Sequence, residues 1–178
     1  MERIGFFGGC FNPPTNIHIK IANDLIKNGK LDKVVFVPVN DYYEKESLAP
    51  AFDRYKMLKL AIQEYSNLDV DDIEIKENKK LFAADIFEII ENSMYINKYT
   101  KENRFFIMGS DNYNKMPNWK DYNKIKDKYN YIVIDREENQ ISSTEIRKMI
   151  KLDDKNVKKY LPKKVHEYIV MNELYKED

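Results

Sequence analysis

The sequence predicts an α/β fold built on a doubly wound, mostly parallel sheet. Three observations carry the prediction. Short apolar runs alternate with segments of helical periodicity along the chain. The run Val34–Val39 is β-branched and almost continuously apolar, as a parallel strand buried on both faces requires. The turns bearing glycine, hydroxyl and charged residues follow predicted strands, at the sheet edge where such folds bind ligands.

The elements can be justified in order. Ile4–Phe7 is the first strand. Asn16–Asn28 is a helix with Ile17, Ile21, Leu25 and Ile26 on one side, and Gly29 is placed to end it. Val34–Val39 is the second strand, followed by a helix over Phe52–Gln63. Val70–Ile75 reads as a strand with polar interruptions, and Ala83–Met94 as a helix. Phe105–Met108 is a buried strand ending at Gly109, and Tyr131–Ile134 is a fifth. Helices follow at Ser143–Lys151 and Lys163–Glu173. Lys76–Lys80 reads as a solvated charged loop and Asn97–Arg104 as a surface connection. There is no internal repeat and no linker rich in Gly, Ser or Pro. The length of 178 residues suits one domain, residues 1–178, with a sizeable core.

Composition narrows the function. The 30 basic residues balance 30 acidic ones, so no basic excess argues for nucleic acid or an anionic membrane as partner. Any anion site must therefore be local. Cys10 is the sole cysteine, which excludes an intrachain disulfide and makes a cysteine-based metal site implausible. A small space-filling role suits it, since no charge partner beyond His18 is evident. No secretory signal is visible and no stretch approaches a membrane span. A cytoplasmic location is expected, and self-association into a homo-oligomer is left open.

Two motifs carry chemistry. The first is Gly8-Gly9-Cys10-Phe11-Asn12-Pro13-Pro14-Thr15-Asn16-Ile17-His18, a strand end, a glycine turn and a helix start. Glycines allow close backbone approach, and a helix N-terminus offers free N–H groups to an anion. Thr15 and His18 add side-chain donors at the same place. The second is Ile141-Ser142-Ser143-Thr144-Glu145-Ile146-Arg147. Ser142 or Ser143 is a good N-cap, and the planar fork of Arg147 suits phosphate oxygens. Either motif alone reads as a turn or a capped helix; together they point to a phosphate site and nucleotide chemistry.

The first motif resembles the nucleotidyltransferase superfamily pattern G-G-x-F-[DN]-P-x-[HT]-x-G-H, and the second its I-S-S-T-x-[IV]-R pattern. Phe36-Val37-Pro38 with Lys45 and Arg54, Phe106–Asp111, Met116-Pro117-Asn118-Trp119 and the tail from Tyr160 to Tyr175 are similar to the bacterial nicotinate-nucleotide adenylyltransferase family. The resemblance spans nearly the whole chain. It implies a Rossmann-like nucleotidyltransferase fold and transfer of AMP from ATP to nicotinate mononucleotide, with pyrophosphate leaving. It assigns catalytic roles to His18, Thr15, Lys45 and Arg147. It gives ATP contacts to Gly8, Gly9, Phe11, Gly109, Asp111, Ile141, Ser142, Ser143 and Thr144. It gives acceptor contacts to Trp119, Ala83 and Arg136. Mg²⁺ is expected on the ATP phosphates, with no dedicated protein metal site.

Four positions depart from the pattern. Thr15 stands where the nicotinate branch usually has His, as in pantetheine-phosphate adenylyltransferases. Ile17 replaces the glycine before His18 and is expected to crowd or shift the adenine pocket. Leu81-Phe82-Ala83-Ala84-Asp85 replaces S-Y-T-x-D, and Glu44 replaces a His. Other readings are a transferase for nicotinamide mononucleotide or phosphopantetheine, one using CTP, or a nucleotide-binding module with weakened catalysis. An aminoacyl-tRNA synthetase fragment is disfavoured by length, neutral charge and the lack of a K-M-S-K-S-like loop.

Overall fold

A computed structural model describes residues 2–43, 45, 47–93, 99–135 and 141–176. The strands are β1 (Ile4–Gly9), β2 (Lys33–Pro38), β3 (Leu68–Val70), β4 (Arg104–Gly109) and β5 (Asn130–Ile134). The α-helices are α1 (Asn16–Lys27), α2 (Ala51–Ile62), α3 (Ala83–Glu91), α4 (Ser110–Lys115), α5 (Tyr122–Ile125), α6 (Ser143–Lys151) and α7 (Lys163–Met171). The strands form one parallel sheet in the order β3-β2-β1-β4-β5.

Strand periodicity explains the two layers of core. Along β1 and β2, Phe7, Val34 and Phe36 join a cluster with Ile19, Leu25 and Leu58 of α1 and α2. The alternate residues Ile4, Phe6, Val35 and Val37 join Phe87, Ile90 and Ile125 of α3 and α5. Side chains alternate across a strand, so a run apolar at every position must be covered on both sides. A third cluster sets Met57 of α2 against Ile146, Val165 and Ile169 of α6 and α7. The C-terminal helices are thereby carried back to the helix that follows β2.

Most expected elements are present, and three are corrected. The expected strand Val70–Ile75 is only Leu68–Val70. The Asp71 N–H still reaches the Phe36 carbonyl at 2.9 Å, but the Asp71 carboxylate accepts from the Ile73 N–H at 2.9 Å. That side-chain turn removes the chain from the sheet. The helix from Ala83 ends at Glu91, and the expected end at Met94 lies outside the described residues. The last helix stops at Met171 rather than Glu173. Gly29, at φ +66°, closes α1 as expected. The short helices α4 and α5 lacked a signal, because a helix of one or two turns is too short for periodicity to show.

The expected solvated loop Lys76–Lys80 is tied down. The buried Asn40 side chain donates to the carbonyls of Glu77 at 3.3 Å and Lys79 at 2.8 Å. In the expected surface connection, Tyr99 is buried and Lys101–Asn103 forms a 3-10 turn.

Candidate active site

The sheet order reverses between β1 and β4. They pair from Ile4–Arg104 to Phe7–Ile107, and each strand runs on to a glycine, Gly9 and Gly109. A crevice at such a switch point is where open α/β sheets take ligands. The two sequence motifs meet here.

The chain leaves β1 through Cys10 and turns at Phe11, whose φ of +47° is unusual for a bulky residue. Its ring holds it there. It is buried among Phe7, Phe36 and His18, with centroids 5.6, 5.3 and 5.2 Å away in edge-on contacts. Phe11 can therefore offer a ligand its backbone but not its ring. Asn12 follows, joined to Pro13 by a cis peptide.

Thr15 is the N-cap of α1, and His18 takes the place of the usual Glu or Gln in a capping box. The Thr15 N–H donates to His18 Nδ1 at 3.0 Å, and the Thr15 hydroxyl lies 2.9 Å from the same nitrogen. With Nδ1 accepting, the proton of the neutral ring resides on Nε2. Thr15 is buried, so its hydroxyl serves the imidazole.

Two guanidiniums grip the carbonyls of the glycine turn. Arg54 of α2, fully buried, donates to the Cys10 carbonyl at 3.1 Å, the Ala49 carbonyl at 2.7 Å and the Asp41 carboxylate at 3.3 Å. Burial lowers its pKa, with Asp41 opposing. Arg147 of α6 donates to the Asn12 carbonyl at 2.8 Å and to the Thr144 hydroxyl at 3.4 Å. The Ser143 hydroxyl donates to the Pro13 carbonyl at 3.1 Å. The two motifs are thus stitched together directly.

Ser142 is the α6 N-cap. Its hydroxyl accepts from the Glu145 N–H at 3.2 Å, and its own N–H donates to the Glu145 carboxylate at 2.8 Å. Donation to the Glu145 carboxylate from the Ser142 N–H, and from the Ser142 hydroxyl at 2.7 Å, holds that carboxyl below its ordinary value. Ile141 is half-buried against the α6–α7 cluster, and Thr144 is exposed.

Lys45 is exposed after β2, with Nζ 3.8 Å from the Cys10 thiol. This is a cationic neighbour that sequence reasoning did not give Cys10. Beneath the same loop lies Glu74, 3% exposed. It accepts from the Asn40 N–H at 3.3 Å. Burial pushes its carboxyl up to about 7, against that hydrogen bond and the charge of Arg54.

Gly109 ends β4 and caps α4, where Asp111 lies exposed in the first turn. Ile17 is half-buried and borders a cavity of about 200 Å³ with Ile21, Ile134 and Asp135. Trp119 and Ala83 are on the other side of the sheet from His18, half-buried against the Phe87 cluster. Beside them Phe82 is exposed, with Lys120 Nζ 4.6 Å from its ring centroid. Arg136 and Glu44 lie outside the described residues.

Sequence reasoning missed three structural partners of this site. Asn12 stood in the first motif without a role. Tyr175 stood in the C-terminal tail, and Asn40, just after the second strand, was given no role. Burial of an amide, which demands partners for both of its ends, was the missing signal.

The family model described as cytidylyltransferase-like matches residues 6–149. A probable nicotinate-nucleotide adenylyltransferase of Caldicellulosiruptor bescii is 33% identical, over 98% of this chain and 99% of its own. The nicotinate-nucleotide adenylyltransferase of Bacillus subtilis is 28% identical, over 98% and 99%. Among solved structures, the Plasmodium falciparum nicotinic acid mononucleotide adenylyltransferase complexed with NaAD superimposes with a TM-score of 0.78. It is 20% identical and covers 100% of this chain and 99% of that one, a likeness of fold. The chain therefore belongs to the cytidylyltransferase-like nucleotidyltransferases, on the branch of the nicotinate-nucleotide adenylyltransferases.

Proposed function

We propose that this protein transfers AMP from ATP to nicotinate mononucleotide and releases pyrophosphate, as a step of NAD biosynthesis. The single observation that carries the reading is the joining of the His18 and Arg147 motifs through Ser143–Pro13 and Arg147–Asn12. Relatives carrying the nicotinate-nucleotide name over full length support it.

The nucleophile would be the acceptor's phosphate, already anionic at neutral pH, so no strong general base is needed. Catalysis is then positioning and charge stabilisation. The acceptor phosphate oxygen bonds to the α-phosphorus as the bond to the pyrophosphate oxygen breaks. In this reading His18 donates Nε2–H to the α-phosphate, where charge builds. Thr15 acts through His18 by fixing its tautomer. Arg147, Ser143 and Thr144 face the β- and γ-phosphates. Ser142 has its hydroxyl committed to the cap and contributes through the α6 N-terminus. Lys45 neutralises charge between the two phosphate groups. The nucleotide meets the main chain of Gly8, Gly9 and Phe11, where Phe106 and the Phe11 ring fill the space a Cβ would take at the two glycines, and the open space at Gly109; Ile141 shapes a wall and Asp111 faces the ribose. Trp119 and Ala83 form the acceptor side, and Arg136 is assigned to the acceptor phosphate by resemblance alone.

Mg²⁺ is proposed to arrive on the triphosphate. No group of three His, Cys, Asp or Glu among the described residues could hold a metal, so no residue is assigned to it. No helix among the described residues is long and apolar enough to cross a membrane.

The test is product formation. ATP and Mg²⁺ with nicotinate mononucleotide should release pyrophosphate and yield the dinucleotide, with a higher kcat/KM than nicotinamide mononucleotide or phosphopantetheine. Turnover confined to one of the latter would reassign the acceptor. ATP binding with no turnover on any of them would refute the reading.

A further inference from the structure

The mechanism leaves the C-terminal segment unused, yet that segment reaches the active-site loop. After α7 the chain turns back, with the Leu174 N–H bonded to the Ile169 carbonyl at 3.1 Å and Tyr175 at φ +65°. Leu174 and Tyr175 pack against the Met57–Ile146 cluster. The Tyr175 hydroxyl donates to Asn12 Oδ1 at 2.8 Å.

Asn12 is the node of the loop, and it is 1% exposed. Its Oδ1 also accepts from the Ala49 N–H at 3.0 Å, and its Nδ2 donates to the Ser47 carbonyl at 2.7 Å. Its main-chain carbonyl accepts from Arg147. One buried residue thus fixes the segment just after Lys45, the C-terminal turn and the guanidinium assigned to the triphosphate. Tyr175 supplies one of the two donors on Oδ1, and a buried acceptor stripped of a donor is costly.

We infer that Tyr175 is a positioning residue: by donating to Asn12 it holds the loop carbonyl on which Arg147 is seated, so the C-terminal segment straps the triphosphate side of the site. The inference rests on the function proposed above. Burial keeps the phenol protonated, well above its ordinary pKa, with Arg147 and Arg54 opposing. It therefore remains a donor at any working pH.

The control is built into the same segment. Tyr168 of α7 donates to Asp53 of α2 at 2.7 Å, a comparable tie that does not touch Asn12. The experiment compares Tyr175→Phe and Tyr168→Phe in the full chain. Calorimetric binding of α,β-methylene-ATP with Mg²⁺, thermal melting and steady-state kinetics would be measured for both. Tyr175→Phe is expected to weaken the analogue about tenfold, the loss of one well-placed hydrogen bond. It should raise KM for ATP while leaving KM for the acceptor unchanged. Tyr168→Phe should lower Tm similarly but bind the analogue as wild type does. Equal binding by both variants, or equal weakening in both, overturns the inference. A wild type that binds the analogue but makes no dinucleotide sinks the proposed function alone, because the binding comparison still decides the role of Tyr175.

Discussion

The Thr15 backbone nitrogen lies 3.0 Å from His18 Nδ1. A cap that would ordinarily be structural here sets the tautomer of an imidazole and puts its proton on Nε2, the atom to which the proposed mechanism gives the donor role. His18→Ala should lower kcat about 10²–10³-fold with little change in acceptor KM. Thr15→Val keeps the backbone bond and loses only the hydroxyl contact, so its loss should stay within about tenfold. Equal losses in the two variants, by steady-state kinetics, would mean that the hydroxyl contributes more than orientation.

Arg54 is buried and holds four oxygen partners in the glycine turn and its neighbours, the Cys10, Ala49 and Asn40 carbonyls and the Asp41 carboxylate. Arg54→Ala should cost about 3–5 kcal/mol, since it leaves buried acceptors unpaired. Arg54→Lys should not restore the loss, because an ammonium cannot reproduce the planar fork. Urea unfolding of the two variants reads this directly. A change under 1 kcal/mol (about the scale of a surface substitution) would contradict the role.

Glu74 gives stability a pH dependence with a defined sign. Its carboxyl moves from 4.5 to about 7 on folding. The folded state therefore binds more protons than the unfolded state between those values. Stability from this group is fully present below 4.5 and is lost as pH rises towards 7, by about 3 kcal/mol in total. Glu74→Gln keeps an acceptor for the Asn40 N–H and should flatten that slope, making the variant the more stable protein at pH 8. Chemical denaturation across pH 5–8 would show it, and parallel curves would defeat it.

The glycines separate space kept for packing from space kept for a ligand. A Cβ on Gly8 would lie 2.9 Å from Phe106 Cζ, so Gly8→Ala should destabilise by about 1–3 kcal/mol through overpacking. A Cβ on Gly109 would meet nothing nearer than the Ile134 carbonyl at 4.0 Å. Gly109→Ala should therefore melt like wild type while weakening ATP binding. Unchanged ATP affinity would remove Gly109 from the site.

The extent to which the sequence disclosed the site follows from these residues. The Ser142–Glu145 cap, the Thr15–His18 helix start and the end of α1 at Gly29 depend on residues within a few positions of one another. Local patterns specify such features, so they were legible. The strand at Leu68–Val70 was misplaced because an aspartate turn outweighed β-propensity at Asp71. Phe11 was legible as a motif residue but not as a core plug, because nothing local says which way a ring at positive φ will turn.

By itself, the sequence determined the α/β alternation, four of the five strands, the glycine turn, the two phosphate-type motifs and the absence of a charge excess. Tertiary structure alone decided that Asn12 joins Tyr175, Arg147 and the Ser47–Ala49 segment. It also decided that Thr15 turns its hydroxyl to His18 and that Glu74 is buried below the Lys45 loop. The physical reason is range. Periodicity and capping are set by neighbours along the chain, whereas the partners of a buried polar group, and the pKa that burial imposes, depend on which distant segments the packed core brings against it.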